Sequence, residues 1–174
     1  MAHRLLFRAL LLLLLLGTAN RVAAAGGVEP RFDFRDPRGA PFPSDLFTVS
    51  DASQLTGRRV NLPKPDCLVQ VSECQDIDVL NTLDGFNLQP RLSIPFTGDI
   101  EIESVTSGTI FLVKLGPGPR LIGINQVVWD PDAKTLHVES EEFLEQHTRY
   151  LLAVTDGVHD SAGAPIGNAP YMRL

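Results

Sequence analysis

Apolar and polar positions divide the chain into three stretches with different patterns. Residues 9–16 are an unbroken run of Ala and Leu, framed by His3, Arg4 and Arg8 and closed by Gly17, Thr18, Asn20 and Arg21. A basic lead, a short apolar run and a small-residue finish are the parts of a secretory signal. The run is far shorter than the roughly 20 residues needed to cross a bilayer, so it predicts a leader and not a span. Ala23, Ala24 and Ala25 offer the small side chains that a signal peptidase accepts. The expectation is a signal peptide over 1–25 and a mature chain that starts at Gly26, with no cysteine nearby to carry a lipid anchor.

From 26 to 84 the apolar residues recur without a period. Pro30, Pro37, Pro41, Pro43, Pro63 and Pro65 interrupt the stretch, and proline both removes a ladder donor and pushes its predecessor towards extended backbone. A Pro-rich, extended and largely irregular lead-in is expected. Phe32, Phe34, Phe42, Leu46, Phe47, Val49, Val60 and Leu62 nevertheless recur through it, and such anchors need a surface to sit on. Within 76–85, Ile77, Leu80 and Leu83 fall on one side of a short helical turn that Gly85 would stop.

Beyond 85 the pattern changes to short strands at 86–96, 100–105, 109–115, 126–129, 135–139 and 149–155. Leu136 and Val138 alternate with His137 and Glu139, and Tyr150, Leu152 and Val154 share one face. Pro90 and Pro95 mark the first as an edge or bent strand. Residues 130–134 read as a hairpin turn, and Ser140 followed by Glu141 and Glu142 predicts a capped helical segment over 140–145. Short strands at this spacing predict an all-β, antiparallel sandwich of Ig-like type over 85–168, with 169–174 as a truncated C-terminal end.

Two resemblances bear on these stretches. The run Arg91-Leu92-Ser93-Ile94-Pro95-Phe96-Thr97-Gly98-Asp99-Ile100, the strands around Ile110 to Val113 and Thr135 to Val138, Leu144 with Thr148-Arg149-Tyr150, and the closing Gly157-Val158-His159-Asp160-Ser161-Ala162-Gly163 resemble the bacterial Ig-like domain of the SbsA type. A wider likeness includes it. Pro41-Phe42-Pro43-Ser44-Asp45-Leu46-Phe47, Thr56-Gly57-Arg58-Arg59-Val60-Asn61-Leu62-Pro63, Leu80 to Phe86 and Asn125 to Asp130 resemble the amino-terminal region of secreted bacterial hydrolases of the virulence-factor lipase type. In that family the region precedes an α/β-hydrolase domain. The resemblance implies a neighbouring hydrolase domain as partner, whereas this sequence stops at Leu174.

Charge narrows the partners. The chain carries 15 Lys and Arg against 21 Asp and Glu, a net charge of −6. Loss of residues 1–25 removes Arg4, Arg8 and Arg21 and no acid, which takes the net charge to about −9. So acidic a surface argues against nucleic-acid binding and against adhesion to anionic membranes. No stable membrane insertion is expected once the signal is removed. Cys67 and Cys74 are the only cysteines, and in an exported chain they read first as a disulfide. A zinc site would need further ligands close by, and the nearest histidine downstream is His137.

No residue is assigned to catalysis, to a cofactor or to a metal. A nucleophile elbow needs G-x-S-x-G, and the nearest candidate, Thr106-Ser107-Gly108-Thr109, reads as a turn. His137, His147 and His159 lack metal-motif spacing. Residues 76–85 misfit a calcium loop, which wants an acid or Asn where Leu80 stands and Gly where Asn81 stands. In Gly116-Pro117-Gly118-Pro119 the prolines remove the N–H donors a phosphate would need. Trp129 and Tyr150 read as core packing. The sequence therefore predicts a secreted, periplasmic or cell-surface structural or accessory module without catalytic activity. Two alternatives stand beside it: the leading fragment of a secreted lipase or esterase, and an extracellular module that binds a glycan or a cell-surface protein.

Overall fold

The computed structural model describes residues 27–33, 35 and 39–169. The expected signal peptide, and the C-terminal end from 170 onward, lie outside the described residues. The elements in chain order are β1 (Thr48–Ser50), β2 (Arg58–Val60), α1 (Val71–Leu80), β3 (Arg91–Pro95), β4 (Ile110–Lys114), β5 (Leu121–Ile122), β6 (Ile124–Asp130), β7 (Thr135–Ser140) and β8 (Tyr150–Val154). All strand pairs are antiparallel. They form a β1-β2 hairpin and two three-stranded sheets, β3-β7-β6 and β5-β4-β8. Among the described residues the fold is thus mostly antiparallel sheet with one short helix.

Side-chain alternation builds the interior. In β7, Leu136, Val138 and Ser140 are buried while the residues between them are half-exposed; β3 does the same with Leu92 and Ile94, and β4 with Ile110 and Leu112. Period-two alternation sends each set to one side of its sheet. The buried apolar residues of both three-stranded sheets belong to one cluster, which Val158 and Ile166 complete from the last loops. The chain changes sheet between β5 and β6, at Gly123. A Cβ there would collide with the Ser107 hydroxyl and the Glu141 carboxylate. Those groups are close because Glu141 accepts the Gly123 N–H at 3.0 Å and Ser107 Oγ accepts the Ile124 N–H at 2.9 Å.

Several expectations are corrected. The first strand begins at Arg91 and not at 86, after Pro90, which has no N–H to give to a ladder. Residues 100–105 hold one bridge, Ile100 to Asp160, and a 3-10 turn at Ile102–Ser104. Local bonds use up the polar groups there: Val105 N–H donates to Ile102 O at 3.0 Å, and the Ser104 hydroxyl to Glu101 O at 2.6 Å. No helix forms at 140–145. Ser140 ends β7, and its hydroxyl donates to Glu142 O at 2.8 Å. The N–H groups of Glu141, Leu144 and Glu145 donate instead to Gly123 O, Leu88 O and Tyr150 Oη, at 3.1, 2.7 and 2.9 Å.

The lead-in holds more regular structure than its prolines suggest. It contains the β1-β2 hairpin and the helix α1, which starts at Val71, five residues before the expected turn. Cys74 is the buried residue of α1, whereas Leu80 and Leu83 are exposed. Pro30 and Phe42 make bridges to Phe96 and Ser93, on the side of β3 away from β7.

Candidate functional site

The expected disulfide is present: Cys67 and Cys74 are joined, with their Cα atoms 5.7 Å apart. It ties the turn before α1 to the helix's first turns. Leu68 and Val69, inside the closed loop, are 92% and 78% exposed, so the staple holds an apolar tip in solvent rather than a core.

The three described histidines stand in separate settings. His137 Nδ1 lies 2.9 Å from the Ser93 hydroxyl, across the β3-β7 ladder. His147 Nε2 lies 3.8 Å from Asp84, and His159 Nδ1 3.4 Å from Glu101. No group of three or more His, Cys, Asp or Glu among the described residues is placed to hold a metal ion. The described helix is not long and apolar enough to cross a membrane.

Ser93 and His137 are the pairing that sequence reasoning missed. Both are outward positions of their strands, and only the register, Ser93 opposite His137, brings them together. A nucleophilic serine also needs an acid behind its histidine and N–H donors for the oxyanion. The Ser93 N–H is already donated to Phe42 O at 2.7 Å, and Phe42 N–H returns to Ser93 O at 3.0 Å. A hydrogen-bonded cross-strand pair is what the geometry supplies. Trp129 packs edge-on to Phe96, with ring centroids 6.1 Å apart, at the margin of the core.

A second constellation knits the lead-in together and, through Asp45, ties it to the sheets. Phe42 stacks edge-on with Phe47 and Phe86 at 5.1 and 5.5 Å. Asp45 pairs with Arg149 at 3.0 Å. Asp84 accepts from the Thr56 hydroxyl, from the Thr56 N–H at 3.1 Å and from the Leu55 N–H at 3.0 Å. The Thr56 hydroxyl is the main reason that its carboxyl sits below the ordinary value of 3.8. Asp51 is held low in the same way, first by the Ser53 hydroxyl and then by the Ser53 N–H and Arg59. Asn81, just after α1, clasps Leu62 both ways: its Oδ1 accepts the Leu62 N–H at 2.6 Å and its Nδ2 donates to Leu62 O at 3.1 Å. On the sheet half, Lys114 lies 2.6 Å from Glu145 and lowers that carboxyl's pKa.

These are scaffolding contacts, built from hydrogen bonds to carboxylates and amides and from exposed and half-buried ion pairs. No family model, curated protein or solved structure matches the chain.

Proposed function

We propose that the chain is an exported Ig-like β-sandwich whose role is structural or accessory, packing beside, spacing or presenting a neighbouring domain outside the cytoplasm. The observation that carries the reading is the strand order. Strands B, C, C′, D, E and F of an Ig-like sandwich, taken in chain order, would give one sheet B-E-D and another C′-C-F. The sheets β3-β7-β6 and β5-β4-β8 fit that order strand for strand. The bridges of Pro30 and Phe42 on β3 stand where strand A would lie.

Tyr150 supports the same reading. It opens β8, the equivalent of F, and its hydroxyl accepts the N–H of Glu145 five residues upstream, as a tyrosine corner does. The disulfide favours an oxidising compartment, in keeping with export. The resemblance to secreted hydrolases of the virulence-factor lipase type names the neighbour: an α/β-hydrolase domain.

Expression of the full chain in an exporting host tests this. The expected product starts at Gly26 by amino-terminal sequencing and turns over no short-chain nitrophenyl ester above a blank. Ester turnover that is abolished by Ser93→Ala would overturn the non-catalytic reading. Retention of an intact amino terminus would overturn export.

A further inference from the structure

A helix of ten residues, as α1 is, is too short to hold itself together in water, so it depends on what fastens its two ends. The C-terminal end has several ties. Asn81, just past the helix, holds both main-chain groups of Leu62, Lys64 lies 2.5 Å from Asp78, and the Thr82 hydroxyl donates to Val79 O at 2.7 Å. The N-terminal end is poorer. Gln70 stands at the N-cap and makes no side-chain capping bond. The turn that leads into the helix bonds to itself: the N–H groups of Leu68, Val69 and Gln70 donate to Asp66, at 3.0, 3.1 and 2.9 Å. Apolar packing adds little there, because Leu68, Val69 and Val71 are all exposed. The Cys67–Cys74 bond is therefore the tie that fixes residues 66–76.

The two ends of that bond are unequally placed. Cys67 is exposed, whereas Cys74 is buried, at 5% exposure. Disulfide exchange begins when a thiolate strikes one of the two sulfurs, and access decides which. We propose that the Cys67–Cys74 bond is a redox switch on the order of residues 66–76, opened by a small thiol of the glutathione class that attacks Cys67. In the first step the thiolate sulfur bonds to Cys67 Sγ, the bond between the two cysteines breaks, and its electron pair leaves on Cys74 Sγ, which takes up a proton. A second thiolate then attacks the sulfur of the first, so that Cys67 leaves as a thiolate and is protonated in turn. Two thiols are oxidised to one disulfide, and the two cysteines take the two electrons.

Opening the bond acts on one end of α1. The turn and the first half of the helix lose their tie, while those at Asn81 and Asp78 remain. Nothing local replaces what is lost: the loosened stretch carries Asp66, Glu73 and Asp76, and no Lys or Arg occurs from Pro65 to Pro90. The sheets do not feel the change, because the cluster they share contains neither cysteine. The switch also resets. The cysteines are seven positions apart, so the freed thiols stay within reach of one another and close again when a disulfide such as oxidised glutathione takes the two electrons back.

Glutathione added to the oxidised full chain without denaturant, quenched with iodoacetamide and read by peptide mass, tests the route. Glutathione is expected on Cys67 and the alkyl group on Cys74. Adducts chiefly on Cys74, or a bond that opens only in denaturant, overturn the inference. Amide exchange before and after dithiothreitol tests the consequence. The amides of Val69, Gln70 and Cys74 should exchange roughly tenfold to a hundredfold faster once the bond is open and recover with oxidised glutathione, while those of Leu62, Ile94 and Leu136 hold. The chain with Cys67→Ser and Cys74→Ser should exchange at the opened rate whether or not dithiothreitol is present. Unchanged exchange at Val69 and Cys74 after reduction, equal acceleration at Leu62, or a response to dithiothreitol in the double variant would each overturn the switch.

Discussion

Residues 39–84 and residues 91–166 lie in one chain and are held by different forces. In the sheet half, Ile94, Ile110, Leu136, Val138 and Val158 are fully buried in one cluster fed by both sheets. In the lead-in only Ala40, Phe47, Val60 and Cys74 are buried, while Leu55, Leu68 and Val69 are at least 78% exposed. The lead-in is fastened by a bridge at Phe42, an aromatic trio, polar clasps at Asp51, Asn81 and Asp84, and a disulfide. Apolar burial is non-directional and shared among many neighbours, so its loss is felt throughout a core. A clasp acts on the few residues it joins. The sheet half should therefore fail as a unit and the lead-in piece by piece.

The largest effect is expected at the centre of the shared core. Leu136→Ala removes a fully buried side chain from β7, the central strand of its sheet. A loss of about 2–5 kcal/mol is expected, read as one urea transition in which Trp129 fluorescence and far-UV circular dichroism move together. Separate transitions for the two probes would break the claim that both sheets rest on one core.

Next comes the staple. Cys67 and Cys74 are seven positions apart, and closing so small a loop is worth about 2–3 kcal/mol in chain entropy. With both cysteines changed to serine, amide exchange should quicken from 66 to 81 while the amides of Ile94 and Leu136 hold their rates. Equal acceleration in β3 and β7 would show that the two regions are coupled more tightly than their contacts indicate.

The same contrast governs what could be read before the fold was known. β7 was legible because it alternates apolar with polar residues, β4 and β8 because each is a short apolar run between turn residues, and β6 because Val127, Val128 and Trp129 run into the turn at 130–134. β5 was not, since Leu121 and Ile122 are too short a run to show a period. The segment at 140–145 has the local chemistry of a helix start, yet partners distant in sequence, at Gly123, Leu88 and Tyr150, take its N–H groups. The hairpin and the first half of α1 escaped; clasps such as Asn81 with Leu62 and Asp84 with Thr56, which hold this region, join residues 19 and 28 positions apart, which no local pattern reveals. The Ser93–His137 contact was hidden for a related reason: strand register decides it, and register belongs to the pair of strands.

The smallest expected effect, and the sharpest test of the contrast, is with acid. Asp84 and Asp51 both titrate below the ordinary carboxylate value, chiefly through the hydroxyls of Thr56 and Ser53. A carboxyl whose folded pKa is depressed stabilises the fold fully above its unfolded value, near 3.8, and loses that contribution as pH falls through the lower folded one. The window of loss therefore lies below 3.8 and opens in the lead-in. In a pH series followed by amide exchange, Leu55 and Thr56 should lose protection there, since both N–H groups donate to Asp84. The amides of Leu136 and Val138, in a strand whose buried side chains are apolar apart from Ser140, should show no matching step. Asp84→Asn removes the charge that titrates and keeps one acceptor oxygen where the carboxylate uses two, Oδ1 for Thr56 and Oδ2 for Leu55, so it should flatten the acid step at both amides while protection at neutral pH survives at Thr56 alone. A step of equal size in β7, or one that survives Asp84→Asn, would mean that acid acts on the shared core and not on the clasp.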